Sequence, residues 1–159
     1  MSHFFKQDTD GGFSIVDAVS ARTVRKFYAN GGSHKELTAT YTVTQAENGT
    51  TYYLNSATEF VTTLPAPFLG AEYEFIVKTA PASASYTVVT ASSANVIKGL
   101  QNSVAGDAGD SGTADDTITF VDGQAVAGDR VVLKSDGTSW FAYAVSKVAA
   151  GVTFTQAST

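Results

Sequence analysis

The sequence predicts an all-β protein: a β-sandwich or jelly-roll body over residues 35–159, preceded by an N-terminal arm over residues 1–34. Three observations carry this. The stretch 128–145 reads as a β-hairpin, with Val131–Ser135 and Ser139–Val145 as its arms and Asp136-Gly137 between them. Both arms are rich in β-branched and aromatic residues, which suit a pleated, half-buried surface, and Asp-Gly tolerates the positive φ of a tight turn. From Glu36 onward, eight to ten short apolar runs of period two are separated by turn residues. No strong helical pattern appears after residue 34.

In chain order, the arm comes first. Gly11-Gly12 and Gly31-Gly32 bracket Phe13–Tyr28. Val16, Ser20, Val24 and Phe27 fall at roughly helical spacing, as do Ile15 and Val19, while Ser20–Thr23 blurs the apolar face. A short amphipathic helix and an extended arm fit this stretch equally. Leu37, Ala39, Tyr41 and Val43 then alternate with threonines as one strand, and Asn48-Gly49 signals a turn. Thr50–Asn55 and Val61–Leu64 are strands, the second stopped by Pro65-Ala66-Pro67. Glu72–Lys78 sets Tyr73, Phe75 and Val77 on one face and Glu72, Glu74 and Lys78 on the other. Tyr86–Thr90 and Asn95–Lys98 are short strands. Gln101–Asp116 reads as a solvated Gly/Asp-rich loop, Thr117–Val121 as a strand, and Val152–Gln156 as a last strand after the hairpin. In the hairpin, Trp140, Ala142 and Ala144 share one face and Phe141, Tyr143 and Val145 the other. Small Thr, Ser and Ala are expected to dominate the outward positions.

Composition narrows function. The 159 residues carry a net charge of −5 and no cysteine. Without cysteine there is no disulfide, thiolate zinc site or cysteine nucleophile. Residues 1–36 are net +1 and the remainder net −6. An acidic body lacks the clustered Lys/Arg that phosphate contacts need, so no nucleic-acid partner is expected. The N-terminus has no apolar signal core, and no apolar run approaches the roughly 20 residues of a membrane span. The expectation is a chain made in the host cytoplasm, with no membrane partner, that leaves the cell only as part of an assembly.

No catalytic constellation emerges, and the chain is read as a non-enzyme without cofactor or metal. Gly109-Asp110-Ser111-Gly112 echoes a serine-protease nucleophile segment. That chemistry needs a histidine base oriented by a carboxylate, and neither His3 nor His34 sits in such a setting. Asp107, Asp110, Asp115 and Asp116 could offer oxygens to Ca²⁺, but their spacing departs from the EF-hand pattern and a solvated loop is preferred. Glu72 and Glu74, two apart on one strand, read as solubility devices rather than a glycosidase pair, which normally sits on separate elements of a cleft.

Six strings in order resemble a recurring β-module of tailed-bacteriophage virion proteins. They are Thr51–Asn55 with Val61–Pro67, Tyr73–Val77, Tyr86–Thr90, Asn95–Gly99, Asp116–Val121, and Gly128–Leu133 leading into Ser135–Trp140. The set resembles small capsid decoration (cement) proteins and spans residues 38–156. The resemblance implies a structural protein on the capsid exterior that clamps neighbouring shell subunits and works as a homodimer or homotrimer. The arm matches no motif of that family. Its residues Phe13, Ile15, Val16, Val19, Arg22, Arg25, Lys26, Phe27 and Tyr28 are expected to lie on the major capsid protein. The alternative is a tail-fibre or receptor-binding module gripping glycans through exposed aromatics such as Tyr52, Tyr53 and Trp140, for which core packing is the preferred reading.

Overall fold

The computed structural model describes residues 3–7, 13–17, 23–27, 33–56, 58–103 and 114–156. Contacts divide the chain into two units, Met1–Ser33 and His34–Thr159. With strands numbered in chain order, the first unit is an antiparallel sheet of β1 (His3–Gln7), β2 (Phe13–Asp17) and β3 (Thr23–Phe27), in that order. Phe5 pairs with Ile15 and Ile15 with Arg25, while Phe13 pairs with both Gln7 and Phe27. The register shifts between Ile15 and Val16. Helical spacing across this stretch therefore does not produce a helix in the described segments. Phe, Ile, Val and Thr are concentrated in them, and such side chains lose rotamer freedom in a helix and fit a strand.

The second unit is a sandwich of two mixed sheets. The larger holds β4 (His34–Leu37), β6 (Thr50–Leu54), β8 (Leu69–Val77), β10 (Ile97–Ser103), β11 (Ala114–Asp115), β13 (Arg130–Asp136) and β14 (Trp140–Ser146). Its order is β11-β10-β14-β13-β8-β6-β4. The smaller holds β5 (Tyr41–Thr42), β7 (Phe60–Thr63), β9 (Tyr86–Val89), β12 (Thr117–Phe120) and β15 (Val152–Thr155), ordered β15-β12-β9-β7-β5. From β4 to β9 the chain alternates between sheets, and each strand runs parallel to the one two before it. Three successive coils thus stack as in a short β-solenoid. The later strands close them off: β13 runs antiparallel between β8 and β14, and β12 antiparallel between β9 and β15. Of the two architectures expected, this is the sandwich; a jelly roll is built from antiparallel Greek keys.

Alternation buries one face of each strand. Tyr52, Leu54, Tyr73, Phe75, Leu133 and Trp140 from the larger sheet meet Phe60, Tyr86, Ile118 and Phe120 from the smaller in one cluster. Tyr52 stacks on Phe75 at 5.1 Å between ring centroids, and Tyr73 tilts against Trp140 at 5.7 Å. Each large side chain removed from water contributes about 1.5–3 kcal/mol. The hairpin face of Trp140, Ala142 and Ala144 is the buried one, and Phe141 and Tyr143 are exposed.

Three local expectations are corrected and one is refined. The run from Leu37 to Val43 is not one strand. It breaks at Thr38–Thr40, where the chain passes from one sheet to the other, so that both Leu37 and Val43 reach the same core. The turn expected at Asn48-Gly49 is present, and it joins two sheets rather than two arms of a hairpin. Asn48 (φ −53°, ψ 134°) followed by Gly49 (φ +82°) has the dihedrals of a type II turn and delivers the chain to β6 in the opposite sheet. The loop expected from Gln101 begins later, because β10 continues parallel to β14 as far as Ser103. Gly99 masks this strand in the sequence, and its lack of a side chain has a packing cause: a Cβ there would stand 2.4 Å from the Phe154 ring. Lastly, Asp115 and Asp116 are buried rather than solvated. Asp107 and Asp110 lie outside the described residues, as does Ser111.

Candidate functional site

The residues expected to form the capsid-binding arm belong to the first unit, and six of the nine lie on its described strands. Phe13, Ile15 and Val16 lie on β2, and Arg25, Lys26 and Phe27 on β3. Register places Arg25 opposite Ile15 and Lys26 opposite Ser14. Val19, Arg22 and Tyr28 lie outside the described residues.

On the body, the two sheets present different outer faces. The smaller sheet carries the threonine-rich surface expected from sequence. Thr42, Thr63, Val89, Thr117 and Thr155 form one row across its five strands. The larger sheet departs from that expectation. Leu100, Tyr143 and Val132 are register neighbours on β10, β14 and β13. Leu100 is 55% exposed, Phe141 45% and Tyr143 43%. Lys98 lies over the Phe141 ring, 5.4 Å from its centroid. An exposed cluster of this kind, rimmed by charge, is the usual mark of an interaction site.

Charge is divided across that face. Lys98, Arg130 and Lys134 stand on β10 and β13, and Glu72, Glu74 and Glu36 on β8 and β4. At the boundary Lys134 meets Glu72 at 3.6 Å, both well exposed. Glu74 accepts a hydrogen bond from Thr51 at 3.2 Å, and Glu36 is ion-paired with Lys78. Beside the acidic strand, Gly49, Thr51, Glu72, Glu74 and Val132 line a shallow, half-open dent of about 130 Å³.

Buried polar groups on the body read as structural. The Asp129 carboxylate accepts from the backbone N–H of Val126 at 3.0 Å and of Lys147 at 2.9 Å. Gln101 donates to Ser146 at 2.9 Å and to the Ala149 carbonyl at 2.6 Å. Thr117 donates to Asp116 at 2.6 Å. Among the described residues no group of three His, Cys, Asp or Glu side chains is placed to hold a metal ion. No helix among them is long and apolar enough to cross a membrane.

One cluster is not anticipated from sequence. Lys35 donates to the Tyr41 hydroxyl at 2.5 Å, and Tyr41 donates to Glu47 at 2.5 Å. The other Glu47 oxygen accepts from the Thr44 backbone and hydroxyl, both at 2.9 Å. Burial works to raise the Glu47 carboxyl; the bonds from Tyr41 and Thr44, with the charge of Lys35, outweigh it and hold the group below its usual range. The Tyr41 bond, opposed by burial, keeps the Lys35 ammonium above its ordinary value. Burial, with the Glu47 charge nearby, lifts the Tyr73 phenol to about 12. Every shift favours the form already present near neutral pH, so the cluster braces the turn between β5 and β6 and leaves no group poised for proton transfer. The signal was there to find: Thr44-Gln45-Ala46-Glu47 is a capping box.

Of the aromatics considered for glycan binding, Tyr52 and Trp140 are fully buried and only Tyr53 is half-exposed. They therefore cannot form a stacking platform. The chain matches no protein-family model and no curated protein.

Proposed function

We propose that the protein is a structural component of a tailed-phage virion, a cement protein that bridges and stabilises major capsid protein subunits on the head exterior and acts as a homo-oligomer. The observation that carries this reading is the ordered set of six sequence strings, which all fall on strands and turns of the two packed sheets. Two further features support it. The body presents a broad sheet face with exposed Leu100, Phe141 and Tyr143. A separate N-terminal unit carries most of that segment's basic residues, a suitable second point of attachment.

The mechanism is mechanical. A protein touching two shell subunits adds contacts that internal pressure must break, and many weak bridges sum through multivalency. No bond is made or broken and no cofactor is required. The tail-fibre alternative loses its proposed platform with the burial of Tyr52 and Trp140.

The triple change Arg22→Ala, Arg25→Ala, Lys26→Ala tests the arm. On purified shells its occupancy falls well below that of the unaltered chain, while the circular dichroism of the body is unchanged. Equal occupancy would remove the arm from the mechanism.

A further inference from the structure

We infer that the outer face of the larger sheet is a two-fold, self-complementary interface, and that a second copy of this chain covers it. The inference deepens the homo-oligomeric part of the proposed function and does not depend on shell binding.

A charge boundary divides this face. In the strand order β11-β10-β14-β13-β8-β6-β4, the basic residues Lys98, Arg130 and Lys134 lie on one side of the β13/β8 junction. The acidic residues Glu72, Glu74 and Glu36 lie on the other, together with Lys78, which pairs with Glu36 and leaves that half net negative. Asp136, at the turn end of β13, is taken up by three hydrogen bonds within its own turn. A face divided in this way repels a copy laid over it in the same orientation. It attracts one turned about a two-fold axis that runs along the strands between β13 and β8. That rotation sets the basic half of each copy on the acidic half of the other, as an isologous contact requires.

The same operation matches shape. It lays β13 over β8 and β14 over β6. The bulky, exposed Phe141 and Tyr143 on β14 then face Gly49 and Thr51, at the dent bordered by Glu72 and Glu74. Knob and hollow come from one surface, so the contact forms twice. Tyr and Phe are the residue types enriched at interface cores. Lys98, over the Phe141 ring, travels with the knob towards the acidic half.

Area is sufficient. Strand spacing of about 4.8 Å and a rise of about 3.3 Å per residue give a face of roughly 30 by 20 Å, about 600 Å² per copy. The total of about 1,200 Å² lies at the lower end of specific interfaces. The face is also balanced in charge within a body of net −6, so two acidic chains meet there with the least repulsion.

Sedimentation equilibrium on the full-length chain tests this without any shell. The unaltered protein is expected to run as a dimer. Tyr143→Glu and Lys134→Glu should each weaken dimerisation by about tenfold or more, the scale of an interface hot spot. Both positions are exposed, so the circular dichroism and melting temperature of each variant should stay near those of the parent. Adding Glu72→Lys to Lys134→Glu restores the dimer, because the exchanged charges again meet across the axis. A monomer at concentrations up to about 100 μM, which means a Kd weaker than that, would overturn the inference. So would a trimer, or a dimer that neither variant weakens, and each of these leaves the cement reading to be judged on shells.

Discussion

Two tyrosines show how burial and bonding separate at single residues. Tyr86 donates to the Ser56 and Thr79 carbonyls and accepts from the Ser56 backbone N–H. Among the described residues the buried Tyr52 hydroxyl has only the Thr50 hydroxyl beside it and makes no hydrogen bond of good geometry. Removing a bonded buried hydroxyl strands its partners, whereas removing an unbonded one relieves a desolvation cost. Tyr86→Phe should therefore lower stability by about 1–3 kcal/mol, and Tyr52→Phe should leave it unchanged or raise it by up to about 1 kcal/mol. Urea denaturation of the two variants checks the contrast. The Lys35–Tyr41–Glu47 cluster gives a pH signature. Because the Glu47 carboxyl is held below its ordinary value of 4.5, its contribution is present above that pH and is lost as pH falls through the lower folded value. Glu47→Gln should cost about 1 kcal/mol at pH 7. The difference from the parent should shrink below pH 4.5, as followed by melts at several pH values.

At the level of elements, β13 and β14 are bonded on both sides within the larger sheet, whereas β4 and β5 are edge strands. Amides of Val131, Leu133, Ala142 and Ala144 should exchange slowest, and those of Tyr41 and Thr42 early, in a hydrogen-exchange series. Gly99→Val should destabilise the protein markedly, since its side chain would occupy the place of the Phe154 ring. A thermal melt reads that loss, and Phe154→Ala in the same background should recover part of it. The strands legible in sequence were those with strict alternation, such as Tyr73-Phe75-Val77 and Trp140-Ala142-Ala144. Alternation reports one buried face and is blind to which sheet a strand joins. For that reason Leu37–Val43 read as continuous although it changes sheets. Gly99 hid the length of β10 because the cause, a ring 55 residues away in sequence, is tertiary. The β2 and β3 segments carried a helical spacing too short to decide anything against their β-forming composition.

For the whole molecule, what could be read from sequence was an all-β body without a catalytic centre to propose. The exposed patch on the larger sheet was half visible. Phe141 and Tyr143 were placed on a common face, but nothing in the hairpin says that this face looks outward. Leu100 fell between the short strand ending at Lys98 and the loop expected from Gln101, and the register joining it to Tyr143 and Val132 exists only once β10 lies beside β14. Charge segregation is likewise a product of strand order: Glu72 and Lys134 are 62 residues apart and become neighbours through β8 and β13.

The proposed binding to the outside of a phage head is tested by co-sedimentation with purified procapsids and expanded heads, followed by imaging. Binding to expanded heads at many regularly spaced positions is expected, reduced by the Arg22, Arg25 and Lys26 substitutions. Absence of binding to both kinds of shell would contradict it.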